Sequence, residues 1–142
     1  MIAKQLSVFI ENRKGRLGEV LSVLKENGVN ILSLSLADTT EYGLLRLIVG
    51  DEKLIKEKLS EAGFSTILSD VLVVKISHET GSLQGLLEVL SKEDINVEYM
   101  YGLSIKGVNA FVVVKPSDLK KAEKILEDAG VTTVSSEEIS KL

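Results

Sequence analysis

One pattern occurs twice in this chain. Leu6-Ser-Val-Phe-Ile-Glu-Asn-Arg-Lys-Gly-Arg-Leu runs into helical spacing and then Gly28-Val29-Asn30-Ile31. Leu72-Val-Val-Lys-Ile-Ser-His-Glu-Thr-Gly-Ser-Leu does the same and reaches Asp94-Ile95-Asn96-Val97. Gly15 and Gly81 stand 66 residues apart, as do Asn30 and Asn96. A period of that length is a complete α/β unit, not a solenoid turn. A lone unit of such size buries only about 60% of its unfolded surface, so two copies in one chain ease a shortage of core.

The apolar spacing gives the order of elements. Leu6–Ile10 is a short apolar run suited to a strand, Glu11–Arg16 a polar loop, and Leu17, Val20, Leu21 and Leu24 a helix face stopped by Asn27-Gly28. Ile31–Leu36 alternates leucine with serine, Asp38–Gly43 is a turn, and Leu44–Val49 is a further strand. A second helix carries Leu54, Ile55, Leu59 and Ala62, and Phe64–Leu68 closes a βαββαβ unit. Asp70 marks the join, with no Pro/Gly/Ser-rich linker after it. The second copy runs from Val71–Ile76 through Ile95–Ser104, Asn109–Val114 and Val131–Val134, with Lys106-Gly107 as a turn and Ser117 as the cap of its second helix. Ser135–Leu142 reads as a short capping helix or a frayed tail.

The expected class is α+β: two tandem ferredoxin-like βαββαβ units, residues 1–69 and 70–142, with helices on one face of each antiparallel sheet. Leu44–Val49, Val71–Val74 and Ala110–Val114 are apolar on both strand faces. Their own helices cover one face only, so a second subunit is expected over the other, giving a homodimer.

The recurring loop is the candidate binding element. Gly15 and Gly81 permit positive φ or close approach of a ligand, though a plain turn needs the same freedom. The helix that follows leaves its first backbone N–H groups unpaired, which suits a carboxylate. Asn12 offers an amide beside them, and Asn30 an acceptor for an ammonium group. Asn30 and Asn96 equally suit a local backbone bond. A free amino acid carries both charges close together, so it fits this loop.

Asn12-Arg13-Lys14-Gly15-Arg16-Leu17, a helix, and Gly28-Val29-Asn30-Ile31 resemble the ACT domain, an amino-acid-sensing module. The second copy keeps Gly81, Leu83, Asn96 and Val97, but His78-Glu79-Thr80 replaces Asn12-Arg13-Lys14 and Asp94 replaces Gly28. The resemblance covers essentially the whole chain as a tandem pair. It implies side-by-side packing into one eight-stranded sheet, with effector amino acids at the seam between the units. The ligand-binding set it implies is Asn12, Arg13, Gly15, Arg16, Leu17, Asn30 and Ile31, with His78, Glu79, Gly81, Leu83, Asn96 and Val97 in the second copy. Such a protein is a sensor, or a non-catalytic regulatory or scaffolding subunit of an amino-acid biosynthetic enzyme.

Other classes fare worse. The chain has no cysteine and a single histidine, His78, which excludes thiolate zinc sites and thiol catalysis and leaves no multi-histidine metal site within one chain. No cofactor is expected, and no nucleophile accompanies His78. Lys106–Val112 resembles part of an RNA-recognition strand, but Val108 stands where a stacking aromatic is needed, and a net charge of −4 opposes RNA. Tyr99 and Tyr101 fall on one strand face, suited to packing at an interface. No apolar run approaches the roughly 20 residues that span a bilayer, and no signal peptide is evident. A cytoplasmic protein without membrane contact is the expectation.

Overall fold

The computed structural model describes residues 1–38, 41–103 and 110–141. The chain divides into two compact units: Lys4–Ser69, and Asp70–Leu142 together with Met1–Ala3.

In the first unit, β1 (Ala3–Glu11), α1 (Arg16–Glu26), β2 (Ile31–Asp38), β3 (Tyr42–Val49) and α2 (Glu52–Glu61) lead into β4 (Ser65–Ile76). β3 lies between β1 and β2, antiparallel to both, with Leu6 opposite Leu47 and Leu36 opposite Leu45. Alternation puts Leu6, Val8 and Ile10 of β1 and Leu45, Leu47 and Val49 of β3 on one face. Both helices pack there, through Val20 and Leu24 of α1 and Ile55 and Leu59 of α2. Each fully buried leucine or isoleucine in that cluster contributes about 1.5–3 kcal/mol relative to exposure. Asp51 starts α2 by accepting from the Leu54 backbone N–H at 3.3 Å.

In the second unit, β4 continues and is followed by α3 (Ser82–Lys92), β5 (Val97–Leu103), β6 (Ala110–Pro116), α4 (Leu119–Asp128), β7 (Thr133–Val134) and α5 (Ser136–Ser140). β6 is antiparallel to both β4 and β5, and β7 pairs with β4 on its other side. Leu72 and Val74 join Leu86 and Leu90 of α3 and Ala122 and Leu126 of α4 in the core. Ser135 and Glu138 cap α5 reciprocally, and its Ile139 is buried. Met1 is held here as well, its ammonium 2.7 Å from Glu123 and 2.8 Å from Thr133 Oγ1.

Among the described residues there are seven strands, not the eight expected. The last strand of the first copy and the first strand of the second are one strand, β4, 12 residues long. Asp70 does not break the chain into two strands: neither glycine nor proline stands near it, and the extended backbone runs through.

Ser117 is not the cap of α4. Asp118 is, accepting from the Lys121 N–H at 3.1 Å, while Ser117 Oγ accepts from the Asn96 N–H. The Lys106-Gly107 turn lies outside the described residues. The second strand faces also differ from expectation. Ile48, Val71, Val73 and Val113 are buried within the single chain, so those apolar positions carry no argument for a second copy.

Candidate functional site

In the first unit the loop after β1 is shaped by its own backbone. The Asn12 N–H donates to Glu41 O at 3.0 Å, and the Arg13 N–H to Glu11 O at 2.8 Å. Gly15 is the N-cap of α1 with φ +91°, a left-handed conformation that costs an L-residue roughly 1–2 kcal/mol. Glycine here supplies no side-chain acceptor to the first turn of α1. The Arg16 N–H bonds back to Arg13 O at 3.4 Å, and the turn sits at the positive end of the helix.

Beside this turn lies a cavity of about 290 Å³, lined by Ile10, Glu11, Asn12, Arg13, Leu17, Leu36 and Gly43. Its polar edge holds opposite charges: Arg13 Nε donates to Glu11 Oε2 at 2.8 Å, with both side chains more than half exposed. The apolar side is Ile10, Leu17 and Leu36. Gly43 makes room for that leucine, since a Cβ there would sit 3.3 Å from Leu36 Cδ1. A cationic side chain, an anionic one and a short apolar wall are thus gathered in a space at the lower end of ligand-site volumes.

The sequence-derived residues divide sharply. Asn12, Arg13 and Leu17 line the cavity, and Gly15 turns the chain beside it. Arg16 does not line it. Its guanidinium lies 4.2 Å over the Phe64 ring, and its Nη1 donates to Glu19 Oε2 at 2.6 Å. Asn30 and Ile31 are at the other end of the strands: Ile31 pairs with Val49, whereas Ile10 at the cavity pairs with Gly43.

In the second unit Gly81 repeats the left-handed N-cap with φ +86°. His78, Glu79 and Leu83 are exposed. Asn96 O accepts from the Ser117 N–H while the Asn96 N–H donates to Ser117 Oγ, and Val97 pairs with Pro116, again at the end of the sheet away from the loop. The counterpart of Asp38–Gly43 is residues 104–109, outside the described residues.

Glu11, Ile10, Leu36 and Gly43 were not anticipated as lining. The alternation in Ile31–Leu36 does put Leu36 on the core-facing side, and Glu11 stands two residues from Arg13, so the signals existed. Only strand pairing shows that these residues meet. Among the described residues, no group of three acidic or histidine side chains is placed to hold a metal ion, and no helix is long and apolar enough to cross a membrane.

Comparison with known proteins gives consistent matches. A family model described as an ACT domain pair matches residues 1–142. The acetolactate synthase isozyme 3 small subunit of Salmonella typhimurium is 40% identical over 87% of this chain and 88% of that one. A crystal structure of a Bacteroides thetaiotaomicron protein has a TM-score of 0.94 and 34% identity, covering 100% of this chain and 98% of that one. The ligand-free regulatory subunit of aspartate kinase from Thermus thermophilus has a TM-score of 0.64 at 14% identity, over 91% and 95% of the two chains, and shares the fold.

Proposed function

This chain belongs to the ACT domain pair family, and from that premise we propose that it is a non-catalytic regulatory protein that senses a free amino acid in the cytoplasm. The observation that carries the reading is the loop cavity. Glu11 and Arg13 pair with each other across its edge. A zwitterion exchanges that pair for two of its own, ammonium to Glu11 and carboxylate to Arg13 and the first turn of α1. The Asn12 amide adds a donor and an acceptor, and the ligand's side chain lies against Leu17 and Leu36. In this reading Asn12, Arg13, Gly15 and Leu17 form the site in the first copy, and Gly81 with His78 and Glu79 marks a diverged counterpart.

A second reading is favoured by the likeness to a small subunit over nearly its full length: this chain is the regulatory partner of an amino-acid biosynthetic enzyme. The two readings are compatible, because an effector regulates a partner through the difference in its affinity for two states. We also propose a homodimer. Its support is Leu34 and Leu36, 48% and 49% exposed on the outer strand β2.

A thermal-shift screen of the twenty amino acids tests the sensor directly. An amino acid present at 100 times its dissociation constant should add about 2.7 kcal/mol of stability. Arg13→Ala and Gly15→Val should abolish the shift. A ligand whose shift survives both substitutions binds elsewhere. Capture of one biosynthetic enzyme at constant stoichiometry would establish the subunit reading.

A further inference from the structure

The two copies carry opposite charge at matching places on their helix faces. The backbone fixes the correspondence. Gly15 and Gly81 are both left-handed N-caps, of α1 and α3. Gly63 and Gly130, just past α2 and α4, are both left-handed. The Phe64 and Val131 N–H groups that follow them donate to Leu59 O and Leu126 O at 2.9 Å. On that alignment Glu26 of α1 stands where Lys92 stands in α3, and Glu57 of α2 where Lys124 stands in α4. All four side chains are exposed.

In the second unit Lys92 and Lys124 border a groove of about 560 Å³ between α3 and α4, with Val89, Ile125 and Ala129 as its apolar part. Lys121 borders it too, but its Nζ donates to Glu93 O at 2.9 Å and so closes the end of α3. In the first unit Val23 and Ala62 repeat Val89 and Ala129, and Leu54 takes the place of Lys121. Lys58 there is held by Glu61 at 3.6 Å. Asp128 matches Glu61 in sign, so the reversal is confined to the two positions above. Among the described residues, none of Glu26, Glu57, Lys92 and Lys124 is in an ion pair. The charges that change sign are therefore ones the chain does not neutralise for itself.

We propose that the groove between α3 and α4 is a docking surface for a second copy of this chain, which presents the α1–α2 face of its first unit. Glu26 and Glu57 of the second copy lie against Lys92 and Lys124, and its Val23 and Leu54 against Val89 and Ile125. Like faces repel, so only unlike units join. Such a contact either closes a pair by being made twice or continues head to tail. Exposed charge pairs are individually weak and are screened by salt, so the contact belongs to low ionic strength. It rests on neither the loop cavity nor the exposed leucines of β2.

The test is sedimentation velocity of the full chain in about 0.02 M and about 0.5 M salt, where charges act over roughly 20 Å and roughly 4 Å. The wild-type chain should sediment faster at low salt than at high salt, where any pairing through β2 remains alone. K92E/K124E and E26K/E57K should each weaken the low-salt association about tenfold or more. Mixing these two variants should restore it, because each finds in the other the face it has lost. Net charge does not account for that rescue. Reversing two residues changes the chain's −4 by four, so one variant carries −8 and the other is neutral. A wild-type chain whose sedimentation ignores salt overturns the proposal and leaves the groove to another protein or to solvent. A variant that associates as well as the wild type, or a mixture that behaves as its two parts, overturns it equally.

Discussion

Asp94 holds a backbone conformation that the first copy gives to glycine. Its φ is +60°, against +65° at Gly28. Aspartate tolerates this region better than most residues but still carries strain there. Asp94→Gly should raise unfolding stability by about 0.5–1 kcal/mol, part of the relief being offset by the freer unfolded chain. A midpoint in urea that does not rise would show that the Asp94 side chain has a compensating role. Arg16 makes the converse case. Its exposure as a side chain is 15%, it stacks on an aromatic ring and it holds an acid. Arg16→Ala should cost about 1 kcal/mol in chemical denaturation without changing ligand affinity at the loop. Its role was not legible in the sequence. Position beside Gly15 suggested a ligand contact, but a long side chain reached Phe64, 48 residues further on. Asn30 stands apart from the loop for a related reason. The 11 residues of α1 carry the chain about 16 Å from the loop before that amide appears.

Helix periodicity, strand alternation and glycine stops located the elements, because each is a local consequence of which face must be buried. Boundaries that depend on side-chain competition were less legible. Ser117 and Asp118 are both good caps, and the aspartate takes the helix while the serine turns to Asn96. Asp118→Ala should therefore cost about 1 kcal/mol through α4. Ser117→Ala should instead expose its effect in faster hydrogen exchange at the Asn96 amide. Equal effects on α4 from both would return Ser117 to the cap. The fusion of two expected strands into β4 was invisible for a different reason: a Ser69-Asp70 pair between apolar runs suits a turn, but without glycine or proline nothing forces the backbone out of extension. Ser135–Leu142 suits a helix or a tail by sequence, and the reciprocal bonds of Ser135 and Glu138 decide for the short α5.

For the whole molecule, the repeat was the strongest signal in the sequence and the oligomeric state the weakest. Apolar residues on both faces of a strand cannot tell a face closed within the chain from one closed by another copy. Burial of Val71, Val73 and Val113 removes that argument, and Leu34 and Leu36 on the outer strand β2 replace it. An apolar edge strand is a template for pairing. Equilibrium sedimentation of the full chain should give a dimer, and L34K/L36K a monomer with unchanged far-ultraviolet circular dichroism. A monomeric wild-type chain would end the dimer reading. β4 has a last implication, for how such a chain can change over time. A pleated strand counts by twos. Because Ser65–Ile76 is unbroken, deleting or inserting one residue near Asp70 would reverse the parity of everything after it, sending Leu72, Val74 and Ile76 to the side now taken by Val71, Val73 and Lys75. Tolerated length changes at this junction should therefore come in pairs, and deep indel scanning of residues 65–76 would reveal that even-numbered rule.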